Sequence, residues 1–241
     1  YTGGAAYECN LINCSLTGNF ASYKSGALHL GNATNCIFEN NSSLSNGGGA
    51  ASEINAVNCI FNYNTTLSGG GALQSSTANN CTFSFNSANN GGAMFNCDAL
   101  KCIMLNNNAI NGGGSSYGRY DSCSYILNSA TSNGVGGGAY DGIITNSIFY
   151  SDSAFAGGAA FAAELFNCIL VNNKAHFNGG AVSYCTVKNS LLYNNTAHNF
   201  GGAAYFGRIL NSTIVDNRVQ NTGGGTYNTN LINCMVWGNK K

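Results

Sequence analysis

Apolar and polar positions alternate in short runs along this chain, and the same run returns every 21 to 24 residues from end to end. A small residue anchors each unit: Cys14, Cys36, Cys59, Cys81, Cys102, Cys123, Ser147, Cys168, Ser190, Ser212 and Cys234. Two positions past the anchor stands an apolar residue in all eleven units: Leu16, Phe38, Phe61, Phe83, Met104, Tyr125, Phe149, Leu170, Leu192, Ile214 and Val236. Three positions before it, Leu11, Ala33, Ala56, Ala78, Ala99, Tyr120, Ile144, Leu165, Val187, Ile209 and Leu231 supply a second apolar line. The runs are short, β-branched or aromatic, and alternate with period two, which predicts strands whose alternate side chains share one face. The anchor has the parity of the Phe position, so it points inward as a small spacer.

Asn and Gly separate the runs. The residue immediately before the anchor is Asn in nine of the eleven units, and the fifth residue after it is Asn in ten, Asp152 being the exception. Nine or ten residues upstream lies a glycine pair or near-pair followed by a small residue, from Gly3-Gly4-Ala5 to Gly224-Gly225-Thr226. Both residue types accept left-handed backbone, and an Asn amide can hydrogen-bond its own image in a neighbouring coil. Two Asn ladders and one Gly ladder therefore predict three bends per unit. A unit of this length with three bends is too short for a helix pair and lacks a leucine-rich consensus. The expected fold is all-β: a right-handed, single-stranded parallel β-helix of eleven rungs, about 22 residues each, with three strands per rung. Stacking at about 4.8 Å gives a rod about 50 Å long. No break in composition divides it, so residues 1–241 are expected to form one domain.

The glycine and aromatic motifs resemble the chlamydial-type polymorphic outer membrane protein repeats, whose hallmark is a GGA-hydrophobic motif paired with FxxN. They stand here as Gly71-Ala72-Leu73, Gly92-Ala93-Met94 and Gly180-Ala181-Val182, with Phe38-Glu39-Asn40-Asn41, Phe61 to Asn64, and Phe83 to Asn86. The similarity extends over all eleven units. It implies the pectin-lyase-like β-helix fold and a surface-displayed solenoid with an adhesive role.

Composition narrows the function. Nine basic and nine acidic residues cancel, leaving no expected electrostatic stripe for phosphates or anionic headgroups, so nucleic-acid and membrane-surface roles are disfavoured. No apolar run approaches the roughly 20 residues of a membrane span, and a chain that begins at Tyr1 without Met is consistent with a leader already removed. The catalytic users of such a fold need carboxylates clustered on neighbouring rungs. No two acids share a position on adjacent rungs here. Asp98 and Arg119, one rung apart at one offset, are expected to form a surface ion pair. The cysteines lack zinc spacing and are expected to be buried free thiols, and His176 and His198, on successive rungs, lack a third ligand. Neither cofactor nor metal is expected. The Asn-x-Ser/Thr sequons read as by-products of the Asn ladders.

One face changes character along the rod. Three residues past the anchor, where side chains point outward, the first four rungs carry Thr17, Glu39, Asn62 and Ser84; the next seven carry Leu105, Ile126, Tyr150, Val171, Tyr193, Val215 and Trp237. A patch of this kind marks a partner. These seven residues are the candidate partner-binding surface, with Tyr193 and Trp237 as anchors. The chain is thus expected to be a non-catalytic extracellular or bacterial cell-surface structural or adhesive protein. Its partners would be other copies of itself, head to tail or side by side, or a host or cell-surface ligand. The rival reading is a polysaccharide lyase or hydrolase.

Overall fold

The computed structural model describes residues 4–45 and 47–241. Every strand pairing is parallel and joins positions one repeat apart, as in Leu16 with Phe38, Phe38 with Phe61 and Phe61 with Phe83. Eleven three-residue strands, from Ser15–Thr17 to Met235–Trp237, form one sheet just after the anchors, hereafter the second sheet. A 14-stranded sheet precedes the anchors, hereafter the first sheet, and a 10-stranded sheet, the third, follows the buried Asn positions. The protein is an all-β parallel solenoid of about ten turns, as the repeat predicts.

The bends differ in number and position from those expected. In most rungs left-handed residues recur four times, five apart, as at Gly91, Asn96, Lys101 and Asn106 in rung five (φ 61°, 51°, 54° and 54°). The Asn before the anchor is such a corner. The Asn five after it is not; the residue preceding it is. The additional corner lies six before the anchor, inside the long strands of the first sheet, where Glu8, Leu30 and Glu53 have φ of 51°, 63° and 57°. Pairing skips that position: Tyr7 pairs His29 and Cys9 pairs Gly31. In rung four the strand divides there into Leu73–Gln74 and Thr77–Asn79. The first sheet is therefore creased along the rod, and three sheets enclose the core with four sides.

The interior is a stack of ladders. Phe38, Phe61 and Phe83 are fully buried, with ring centroids 4.7 and 4.9 Å apart in near-parallel stacks. Ala33, Ala56 and Ala78 oppose these large rings, whereas Leu165, Val187 and Ile209 oppose Leu170, Leu192 and Ile214, so each rung distributes a similar volume between its two walls. Rung seven departs from the rule with Ile144 and Phe149, and rung six departs furthest with Tyr120 and Tyr125, all buried. The two tyrosine hydroxyls reach the Tyr117 carbonyl at 2.7 Å and Ser115 Oγ at 2.9 Å. Room for Tyr125 comes from Gly114, where most rungs have Ala: a Cβ there would lie 2.8 Å from the ring.

Candidate functional site

The outward face of the second sheet is built by strand alternation alone. Because Tyr125, Phe149 and Leu170 point into the core, Ile126, Tyr150 and Val171 must point away from it. Register then aligns the seven candidate residues in one column: Leu105 pairs Ile126, Ile126 pairs Tyr150, and the line continues through Val171, Tyr193 and Val215 to Trp237. Tyr150, Tyr193 and Trp237 are 45%, 40% and 60% exposed, while Leu105, Ile126 and Val171 are half-buried. Val215 is a correction. At 6% exposure it sits between the larger Tyr193 and Trp237 side chains of the adjacent strands and contributes little surface.

A second apolar column runs beside the first, one residue past the anchor: Ile103, Ile148 and Ile169 are about two-fifths exposed. Ile37 and Ile60 carry this column back to rungs two and three. Asn amides border the strip, as in Asn167 Nδ2 donating to Asn146 Oδ1 at 3.2 Å and Asn194 Nδ2 to Asn172 Oδ1 at 2.7 Å. The surface is thus a flat apolar ribbon between polar rims.

A second feature lies on the first sheet, where Asp98, Arg119 and Asp121 line one groove over the buried Tyr120. Asp98 and Arg119 pair in register, yet they form no ion pair; among the described residues the one salt bridge is Lys24 to Glu53, at 3.2 Å. The expected Asp98–Arg119 bridge is corrected accordingly. In-register side chains project in parallel, and register alone does not bring their charged ends together. Asp121 accepts hydrogen bonds from Asn146 Nδ2 at 2.7 Å and Thr145 Oγ1 at 2.8 Å, and these bonds hold its carboxyl below the usual carboxylate range. Matching offsets alone conceal this grouping. Asp98 and Asp121 differ by two positions in offset, which keeps the same parity and hence the same outward face.

No family model matches the chain. No curated protein matches it either. Among solved structures, it is similar to HetL, a pentapeptide repeat protein involved in heterocyst differentiation regulation from the cyanobacterium Nostoc sp. strain PCC 7120. That likeness has 11% identity over 99% of this chain and 87% of that one, with a TM-score of 0.25.

The described cysteines are all free. The anchors form a thiol ladder in which the Cys36 and Cys59 backbone amides donate to the Cys59 and Cys81 sulfurs, both at 3.4 Å. Cys97 and Cys185, outside that ladder, are buried, and burial pushes both thiols up to about 12. Such thiols stay protonated and behave as small apolar spacers. Among the described residues no three His, Cys, Asp or Glu side chains group so as to hold a metal ion. His176 and His198 are exposed on the third sheet's side, in a groove shared with Lys174 and Arg218.

Proposed function

We propose that this chain is a non-catalytic structural or adhesive β-solenoid, displayed outside the cell in the manner of the polymorphic outer membrane protein repeats, that works through lateral contact along its second sheet. The observation that carries the reading is the apolar ribbon: seven successive rungs bring one outward column of apolar and aromatic side chains into register, bordered by amides. At about 4.8 Å per step the ribbon is roughly 29 Å long, and two columns make an area on the order of 300 Å². That matches the larger apolar patches on monomers, which are often functional. It is well under the roughly 800 Å² per partner of a stable complex. One ribbon-to-ribbon contact is therefore weak, and strength comes from many rungs or many rods acting together. The ribbon carries no charged side chain in either column, although Ser124 and Thr213 interrupt the second, so it meets a second copy of itself without charge conflict and another solenoid is the partner it suits best.

The groove of Asp98, Arg119 and Asp121 favours the rival carbohydrate-active reading, since it sets two acids and a base on one face. Glycoside hydrolysis, however, needs an acid whose pKa is raised so that it holds a proton to donate. Asp121 is shifted the other way by its two donors. Asp121 is thus not that proton donor, and the scaffold reading is preferred on the strength of the apolar ribbon.

Sedimentation velocity on the wild-type chain and on a Val171→Thr/Tyr193→Thr variant tests the proposal, with circular dichroism to check that both fold. The wild type is expected to self-associate with rising concentration and the variant to remain monomeric. Equal association would overturn the lateral role, and turnover of any acidic polysaccharide would overturn the non-catalytic one.

A further inference from the structure

The balanced charge of the chain hides a local imbalance. Of nine Lys and Arg residues, four line one recess on the third sheet near the last rungs: Lys174, Arg218, Lys240 and Lys241. Register places Lys174, Thr196, Arg218 and Lys240 in one outward column, joined by the pairings of Lys174 with Thr196, Thr196 with Arg218, and Arg218 with Lys240. Parallel to it run the exposed imidazoles of His176 and His198, and between the two columns the buried Ala175, Ala197 and Val219 form the floor. No Asp or Glu lines the recess. Its four cations take part in no ion pair among the described residues. All four side chains are exposed, and a recess lined by one sign of charge concentrates ligands of the opposite sign.

We infer that this recess binds an extended anionic glycan, whose carboxylate or sulfate groups sit over the Lys174, Arg218 and Lys240 column with the chain running along the rod. The column spans three rung steps, about 14 Å, which suits a linear ligand better than a single small anion. Duplex nucleic acid is a poorer fit, because its affinity comes from neutralising many phosphates and the whole molecule offers no wider basic field. Single-stranded nucleic acid binds by stacking bases on aromatic platforms, and no Phe, Tyr or Trp lines the recess. An anionic bilayer would be met by cations on a projecting surface, whereas these border one side of a recess. The site lies on a different face from the apolar ribbon, so it goes beyond the lateral role and either can fail alone.

The test uses a heparin-derived octasaccharide as probe, titrated calorimetrically into the folded chain at 50 and 200 mM salt. Binding is expected at low salt and should weaken at high salt. The Lys174→Gln/Arg218→Gln variant should bind at least tenfold more weakly, while Arg119→Gln, on the first sheet, should bind like the wild type. Thermal melts confirm that each variant folds. An octasaccharide that does not bind, or binds the double variant equally, overturns the assignment. So does tighter binding of an oligothymidylate or of phosphatidylglycerol vesicles, which would reassign the recess to nucleic acid or membrane.

Discussion

At the residue scale the two Asn ladders do different work, although the sequence writes them alike. The Asn before each anchor is an exposed left-handed corner, as at Asn35 and Asn58, and its amide only links corner to corner. The Asn five after the anchor is fully buried in the inner rungs and half-buried at Asn19 and Asn239 in the end rungs. Asn107 donates from both its backbone N–H and its Nδ2 to Asn128 Oδ1, at 3.1 and 3.0 Å, and from Nδ2 to the Phe83 carbonyl at 3.0 Å. Asn107→Ala removes that bond and takes the shared acceptor from the backbone N–H and Nδ2 of Asn86 in the core, so a loss of about 1–3 kcal/mol is expected in denaturant unfolding. Unchanged stability would mean the ladder contributes nothing. Asp152 occupies the same buried position in rung seven. Its Oδ1 accepts from Asn128 as an Asn would, but Oδ2 stands where an amide nitrogen would donate and has no partner. Burial pushes this carboxyl well above the usual range, which favours the protonated form. A folded pKa above the unfolded value of about 3.9 gives stability that is complete in acid and falls as pH rises towards the folded pKa. The structure shows no charged group bonded to it; its ladder partners are Asn128 and Asn173. Asp152→Asn should therefore gain about 1–3 kcal/mol at pH 7 and almost nothing at pH 3.5. Melting curves of the two proteins that stay parallel between those pH values would contradict this.

At the scale of elements, register carries the structure. A strand slipped by one residue would turn Phe and Tyr outward, and the buried Asn, which accepts only from its counterpart one rung away, adds a second lock. Rung six shows how far core volume is matched. Tyr125 fits because Gly114 yields space, so Gly114→Ala should cost about 1–3 kcal/mol through overpacking. The same change at an Ala-lined rung has no analogue, and a neutral effect on the melting temperature would show that the two Tyr rings are loosely held. The ladders that define the strands were legible because alternation and small anchors repeat in every unit. The crease six before the anchor was not: its residues include Leu30, Tyr117, Ala162 and Phe206, with no common chemistry. Bulky residues hold left-handed backbone there at about 1–2 kcal/mol each, because stacking on both neighbours fixes the conformation. The Asp98–Arg119–Asp121 groove and the basic recess were also hidden. Each joins residues of different offset, and one charge total for the chain conceals both.

At the scale of the molecule, the rod has faces and ends of distinct character: a creased sheet with a mixed-charge groove, an apolar ribbon, and a recess of cations. Val236, whose counterparts in the ladder are buried, is 46% exposed. The first rung, described from Gly4 onward with Tyr1 to Gly3 outside the described residues, carries the matching ladder at Leu16. Head-to-tail stacking of Leu16 on Val236 is therefore compatible in register and would extend the second sheet between copies. A proline-rich cap appended after Lys241 should abolish end-to-end growth, and filaments that persist with the cap would reject it. Electron microscopy of the purified chain in negative stain shows whether rods meet laterally along the ribbon. Rods about 50 Å long, paired side by side in a fraction that rises with concentration and disappears in the Val171→Thr/Tyr193→Thr variant, are the expected result. Isolated wild-type rods at every concentration, or pairs equally frequent in the variant, would contradict it.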